Sequence, residues 1–432
     1  MDSAAFNQGL LKFIGGSPTP FHATLNLGIL LQDAGFQRLD EAARWNLQKG
    51  QGYFVTRNDS SLIAFRTGSQ SGAEAGVRLA GAHTDSPCLK LKPRPDINRN
   101  GYLQAGVEVY GGALLNPWFD RDLSIAGKIG YVDSEGNLQS CLIDLRDPVA
   151  VIPSLAIHLD REVNQQRTIN AQQHLPPVLL QCEAGEQSLE QLLLTHLQQQ
   201  DDTRNARRIM SHELCLYDTQ PPALVGWQRQ FIAAARLDNL LSCYLACRSL
   251  MDARNDHHSL LVCNDHEEVG STSASGAQGP FLKTVLRRLA ELDAGHSDTL
   301  DRMCHNSLML SIDNAHGVHP NYADKHDPGH SPLLNGGPVI KINANQRYAS
   351  NSDGVARFQQ YCDRLGVCTQ PFVMRSDLAC GSTIGPLTAA QTGINTVDIG
   401  VATFAMHSIR ELAGARDAAD LSRVVTAFFN RD

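Results

Sequence analysis

Residues 260 to 275 read LLVCNDHEEVGSTSAS. Leu260, Leu261, Val262 and Cys263 form a short apolar run bounded by polar turn formers, which predicts a buried strand over 260–264. Asp265, His266, Glu267 and Glu268 stand where that strand ends, and Gly270 follows. In open α/β sheets, ligands bind just beyond the carboxyl ends of the strands. Successive side chains of extended backbone point to opposite sides. One glutamate can therefore face a metal ion while its neighbour faces a water. Taken alone, the pair also fits a charged loop, so the decision rests on what stands at the ends of other strands.

Working outward, strands and helices alternate on both sides of this stretch. Apolar spacing predicts helices over 4–14 and 20–34, a hairpin of strands 52–56 and 61–66, and a strand 77–82 that runs into His83-Thr84-Asp85. Downstream, helices are expected at 240–253, 281–292, 353–365 and 412–429, with strands at 307–312, 339–342 and 396–401. Between these halves the texture changes. Pro93, Pro95, Asp96 and Asn98 break structure. Short glycine-rich alternating segments and glutamine-heavy polar tracts follow. The expected fold class is α/β: a mixed central sheet flanked by helices, built from residues 1–93 and 231–432, with a β-rich insertion at 94–230.

The chain has 432 residues, 42% of them hydrophobic and 19% charged, which suits an ordinary globular chain of two or three domains. Its formal net charge is −8 and it has no basic run, which argues against nucleic acid as a partner. No apolar run is long enough to span a membrane, and the N-terminus lacks the basic start of a secretory signal. Eleven scattered cysteines without a Cys-x-x-Cys pair point to a reduced, cytoplasmic protein with free thiols.

Other ligand types do stand at predicted element ends: His83, Asp238, Glu268, Asp313 and His407. Singly, each has an ordinary explanation. His83 and His407 fit a hydrogen-bonded or surface histidine, Asp238 a helix cap and Asp313 a turn. Together, two histidines and three carboxylates match the donors of zinc or manganese. One carboxylate shared between two ions would give each ion three protein ligands and leave room for water. No Gly-x-Ser-x-Gly elbow, phosphate loop or His-Glu-x-x-His is present.

The motifs AGAHTDSPCLKLKP (80–93), RLDNL (236–240), NDHEEVGSTS (264–273), DNAHGVHPNYADKHD (313–327), GPVIKIN (337–343), NQRYASN (345–351), CGSTIGP (380–386) and AMHSIRE (405–411) resemble those of the aspartyl aminopeptidase family of two-zinc exopeptidases. The resemblance covers nearly the whole chain. It implies a zinc-exopeptidase-like α/β domain carrying an inserted dimerisation domain, and a homo-oligomer, a dodecamer built from dimers. It implies two divalent ions per subunit, zinc foremost, with manganese or cobalt as alternatives. Asp238 would bridge them, His83 and Asp313 would complete one, and Glu268 and His407 the other. Glu267 would be the general base, and Asp85 would accept from the His83 imidazole. Lys341 would bind the acidic side chain of the substrate, and His158 would reach a neighbouring subunit's active site. No role is assigned to His316 or His319. Leu378 and Ala379 depart from the family's usual residues, which bears on pocket detail.

The implied activity is release of N-terminal Asp or Glu from peptides. Two readings from other classes compete: a two-metal amidohydrolase acting on acylated amino acids, which would not need a cation at Lys341, and a non-catalytic scaffold relative, which the presence of all five ligand types disfavours.

Overall fold

Strand His258–Asn264 is buried at every residue, as a strand covered on both faces must be. Its alternation divides two cores. Leu261 and Cys263 pack with Leu241 and Leu245, while Leu260 and Val262 pack with Phe281 and Val285 on the opposite face. In this computed structural model, residues 3–183, 185–254, 256–293 and 296–431 are described. The chain forms two units: Met1–Ser86, Pro222–Met406 and Glu411–Asp432 in the first, Pro87–Pro221 and His407–Arg410 in the second.

In the first unit, His258–Asn264 pairs in parallel with Val77–His83, with Asn264 opposite His83. Val77–His83 pairs in parallel with Leu308–Ile312, and that strand in parallel with Asn395–Gly400. The carboxyl ends of these four strands therefore share one edge. Among the described residues the sheet has nine strands and is mixed. Ser61–Arg66 is antiparallel to His258–Asn264, and Val339–Ile342 is antiparallel to Asn395–Gly400. Helices Ser3–Gly15, Leu237–Met251 and Asp417–Asn430 cover one face through residues such as Leu10, Leu241 and Phe428. Helix Phe281–Ala290 covers the other with Phe281, Val285 and Leu289, spaced by four.

The closing helix is shorter than its apolar spacing predicts. Glu411–Gly414 is a strand, paired antiparallel with Phe231–Ala234 and with Ala402–Phe404. It belongs to a five-stranded sheet that also holds Ala223–Val225 and Ala315–His316. The apolar pattern of this segment fits either period, and its long-range strand partners decided the outcome. The helix begins only at Asp417, whose carboxylate accepts the backbone N–H groups of Asn335 (2.6 Å) and Gly337 (3.0 Å).

The second unit is an antiparallel sheet in the order Leu138–Asp144, Leu123–Asp133, Ala206–Asp218, Cys88–Arg99, Tyr102–Tyr110, Val178–Gln181. Helix Leu189–Gln199 starts with a Ser188/Gln191 capping box. It buries Leu189, Leu193 and Leu197 with Ile125, Leu214 and Leu216. Pro93 and Pro95 interrupt the pairing rather than the strand. Register with Tyr102–Tyr110 jumps from Leu91 opposite Val107 to Asp96 opposite Ala105, because proline has no N–H to give to the ladder. Ile409, from the short segment 407–410, is buried in this core.

Candidate metal centre

His83 ends its strand with its ring 2% exposed. Its Nδ1 lies 3.0 Å from the carbonyl oxygen of Asp85 and 3.3 Å from Asp85 Oδ1. That leaves Nε2 facing two carboxylates, Asp238 Oδ1 at 3.4 Å and Asp313 Oδ1 at 3.7 Å. Burial alone would lower the imidazole. Contacts with Asp238, Asp313 and Asp85 outweigh it and hold the ring well above the ordinary histidine value.

Asp238 opens the segment Leu237–Met251, but with non-helical backbone (φ −84°, ψ 105°). It is not a helix cap. Its N–H is accepted by Glu411 Oε2 at 2.9 Å, and its carbonyl takes the Ser86 hydroxyl at 2.6 Å. Asn239 donates from Nδ2 to the carbonyl of Ile312, 2.8 Å away, next to Asp313. Sequence reasoning missed Ser86, Asn239 and Glu411. Ser86 and Asn239 lie beside ligand candidates in the chain and could have been flagged by that. Glu411 carries no such local signal for Asp238.

Glu267 and Glu268 correct one expectation. They do not lie on extended backbone with alternating side chains. His266 adopts a left-handed conformation (φ 63°), and Glu267–Val269 forms a 3-10 turn closed by Gly270 (φ 95°). The buried Asp85 carboxylate accepts both turn N–H groups, Glu267 at Oδ1 and Glu268 at Oδ2, each at 3.1 Å. His83, Asp238 and Glu268 each offer a donor atom within 4.8 Å of the others. Burial pushes Glu267 up to about 8, with His83 opposing and Asp313, Asp85 and Asp238 adding to the rise. Burial and Asp238 likewise push Glu268 well above the usual carboxylate value.

Asp313 behaves oppositely. Burial would raise it, but Lys341 and His83 hold it well below the usual carboxylate range. Lys341, 2% exposed on Val339–Ile342, points inward rather than to solvent. Its ammonium donates to Asp313 Oδ2 (3.2 Å), the Asp313 carbonyl (3.2 Å) and the Asn314 carbonyl (3.1 Å). With three donors and three acceptors, it first of all balances Asp313.

The structure thus gathers His83, Asp238, Glu268 and Asp313, with Glu267 and Asp85 beside them. It places His407 in the second unit, where Nδ1 lies 3.2 Å from the Gly112 carbonyl and the His407 carbonyl accepts the Leu114 N–H. His158 lies exposed in the second unit, near the exposed Leu155, Ile157 and Leu159.

The gathered residues fit a divalent cation. One imidazole and several carboxylates without a thiolate are the donors of an open, catalytic type of site. Asp313 Oδ1 is buried and receives no hydrogen bond.

Residues 13–429 match the family model described as "Aminopeptidase I zinc metalloprotease (M18)". The "Probable M18 family aminopeptidase 2" of Ectopseudomonas mendocina (strain ymp) is 56% identical over 423 residues, 98% of this chain and 97% of that protein. A chain in the "Cryo-EM structure of the Ape4 and Nbr1 complex" matches at TM-score 0.95 and 36% identity, over 99% of this chain and 86% of that one. The "Structure of S. cerevesiae mApe1 dodecamer" matches at TM-score 0.83 and 28% identity, over 98% and 95%. With a matched length that spans the gathered histidine and carboxylates, the chain belongs to the M18 family of zinc metalloproteases and is a metal-dependent aminopeptidase.

Proposed function

We propose that this aminopeptidase releases an acidic first residue from peptides at a centre of two divalent ions. The observation that carries the reading is the convergence of His83, Asp238 and Glu268 within 4.8 Å, beside Asp313 and next to Glu267. Asp238 is assigned to both ions, His83 and Asp313 to one, and Glu268 to the other. His407 is carried as the fifth ligand on the family resemblance alone. When bound, such ions polarise a carbonyl and acidify water.

The chain's own groups supply the rest. Glu267 takes the proton of the attacking water and hands it to the leaving amine. The buried Asp85 carboxylate holds the Glu267 backbone in place, so the base does not wander. Lys341 is a buried cation against Asp313, and the carboxylate of an acidic first side chain would share its ammonium. Residues 94–230 are assigned to dimerisation, His158 to a neighbouring copy, and the assembly to a dodecamer. The relative described as a dodecamer supports the last of these. A cytoplasmic location is supported by the free state of all eleven cysteines. No helix among the described residues is long and apolar enough to cross a membrane.

The test is hydrolysis of otherwise identical peptides beginning with Asp, Glu, Ala or Leu, with and without a chelator. Chelator-sensitive release of Asp or Glu first is expected. Preferential release of Ala or Leu would keep the aminopeptidase and overturn the acidic specificity.

A further inference from the structure

The backbone of Asp238 is held by a residue far away in the chain. Glu411 is 2% exposed and begins strand Glu411–Gly414, where it stands opposite Ala234 of Phe231–Ala234. That strand leads directly into Leu237 and Asp238. From this position the Glu411 carboxylate reaches the N–H of Asp238, with Oε2 at 2.9 Å. The helix that follows has no side-chain cap of its own. Its N-cap residue, Arg236, is left-handed, and its guanidinium bonds the carbonyls of Ser17 and Ile14 instead. Asp238 itself departs from helical geometry, so the following turns do not dictate where its side chain points. A buried backbone N–H that finds an acceptor avoids the cost of an unpaired donor.

We infer that Glu411 is a positioning residue for Asp238: it fixes the backbone from which the bridging carboxylate is presented. The inference rests on Asp238 being a metal ligand, as proposed above. Ser86, on the Asp238 carbonyl, and Asn239, on the Ile312 carbonyl, complete the brace. Groups that orient a ligand without touching the ion commonly change metal affinity about 10–100-fold when removed.

The test is zinc affinity of the full-length protein, measured by competition with a chromophoric chelator, for wild type, Asp238→Asn, Glu411→Ala and Glu411→Gln. Circular dichroism checks that each variant is folded. Kinetics on a peptide substrate are read alongside. Asp238→Asn should lose zinc. Glu411→Ala should bind zinc about 10–100-fold more weakly and lose kcat with KM little changed. Glu411→Gln keeps an acceptor at the same reach and should stay near wild type. If Asp238→Asn loses zinc while Glu411→Ala binds it normally, the positioning role is overturned and the ligand assignment stands. If Asp238→Asn binds zinc normally, the ligand assignment itself fails. Equal losses in Glu411→Ala and Glu411→Gln would show that charge rather than the acceptor matters, and would also overturn the role. Should Glu411→Ala not fold, Glu411→Asp replaces it. Its side chain is one methylene too short, so it should bind zinc more weakly than Glu411→Gln, and equal affinities would count against the inference.

Discussion

Asp85 Oδ1 accepts the backbone N–H of Glu267 at 3.1 Å, and the same carboxylate takes the N–H of Glu268 through Oδ2. One buried side chain thereby sets the turn that carries both the proposed base and a proposed ligand. The His83 ring meets Asp85 twice, Nδ1 lying 3.0 Å from the Asp85 carbonyl and 3.3 Å from its Oδ1. Asp85→Ala should leave that carbonyl contact intact and release the turn. Each N–H left without an acceptor costs about 1–3 kcal/mol. Zinc affinity and kcat should therefore fall together. A variant that loses turnover but keeps wild-type zinc affinity would show that the clamp does not reach Glu268.

Glu267→Gln preserves size and the backbone clamp but removes the proton acceptor. Zinc content should be unchanged, while kcat drops by about 10²–10⁴-fold, the usual contribution of a positioned base. Turnover at the wild-type level would remove Glu267 from that role.

Lys341 and Asp313 form a buried pair at 3.2 Å. Lys341→Met keeps the volume and removes the charge. Breaking such a pair by taking one partner costs about 3–5 kcal/mol, so the melting temperature should fall. The rates for Asp- and Glu-initiated peptides should fall relative to Ala- and Leu-initiated ones. Survival of the acidic preference in a folded variant would mean that another cation reads the substrate and that Lys341 serves Asp313 alone.

Asp417 offers a pH test away from the centre. Burial pushes its carboxyl from 3.8 to about 6, against the pull of the Gly337 and Asn335 N–H groups. Below about 4 both folded and unfolded chains hold the proton. Between about 4 and 6 only the folded chain holds it, so Asp417's contribution is lost as pH rises, by about 1.4 kcal/mol per unit. Above about 6 the loss is complete and constant. Asp417→Asn removes this titration. The stability difference, wild type minus variant, should shift against the wild type by about 3 kcal/mol from pH 4 to pH 6 and then level off. A pH-independent difference across that window would rule out the raised value.

Much of the fold could be read from local pattern. The apolar run at 260–263 and its polar ending predict a strand that the structure extends to His258–Asn264. His83 and Asp313 fall at strand ends because β-branched and apolar runs stop where the chain turns to polar residues. Elements whose identity depends on distant partners were not legible. The strand Glu411–Gly414 exists through pairing with segments about 180 residues earlier and within ten residues of it, and its apolar spacing fits a helix equally well.

The sequence by itself determined the chemistry on offer: imidazole and carboxylate donors, no thiolate among them, at the ends of predicted elements, in motifs that carry the family. Only the tertiary structure decided how those donors are held. The Asp85 carboxylate turns 267–268 away from an extended path, Glu411 grips Asp238 from 173 residues away, and Lys341 spends its donors on Asp313 and Asn314. Each of these is a hydrogen bond or ion pair between groups remote in the chain. Their formation depends on burial and on the sheet register that brings strand ends to a common edge, and no local spacing encodes that.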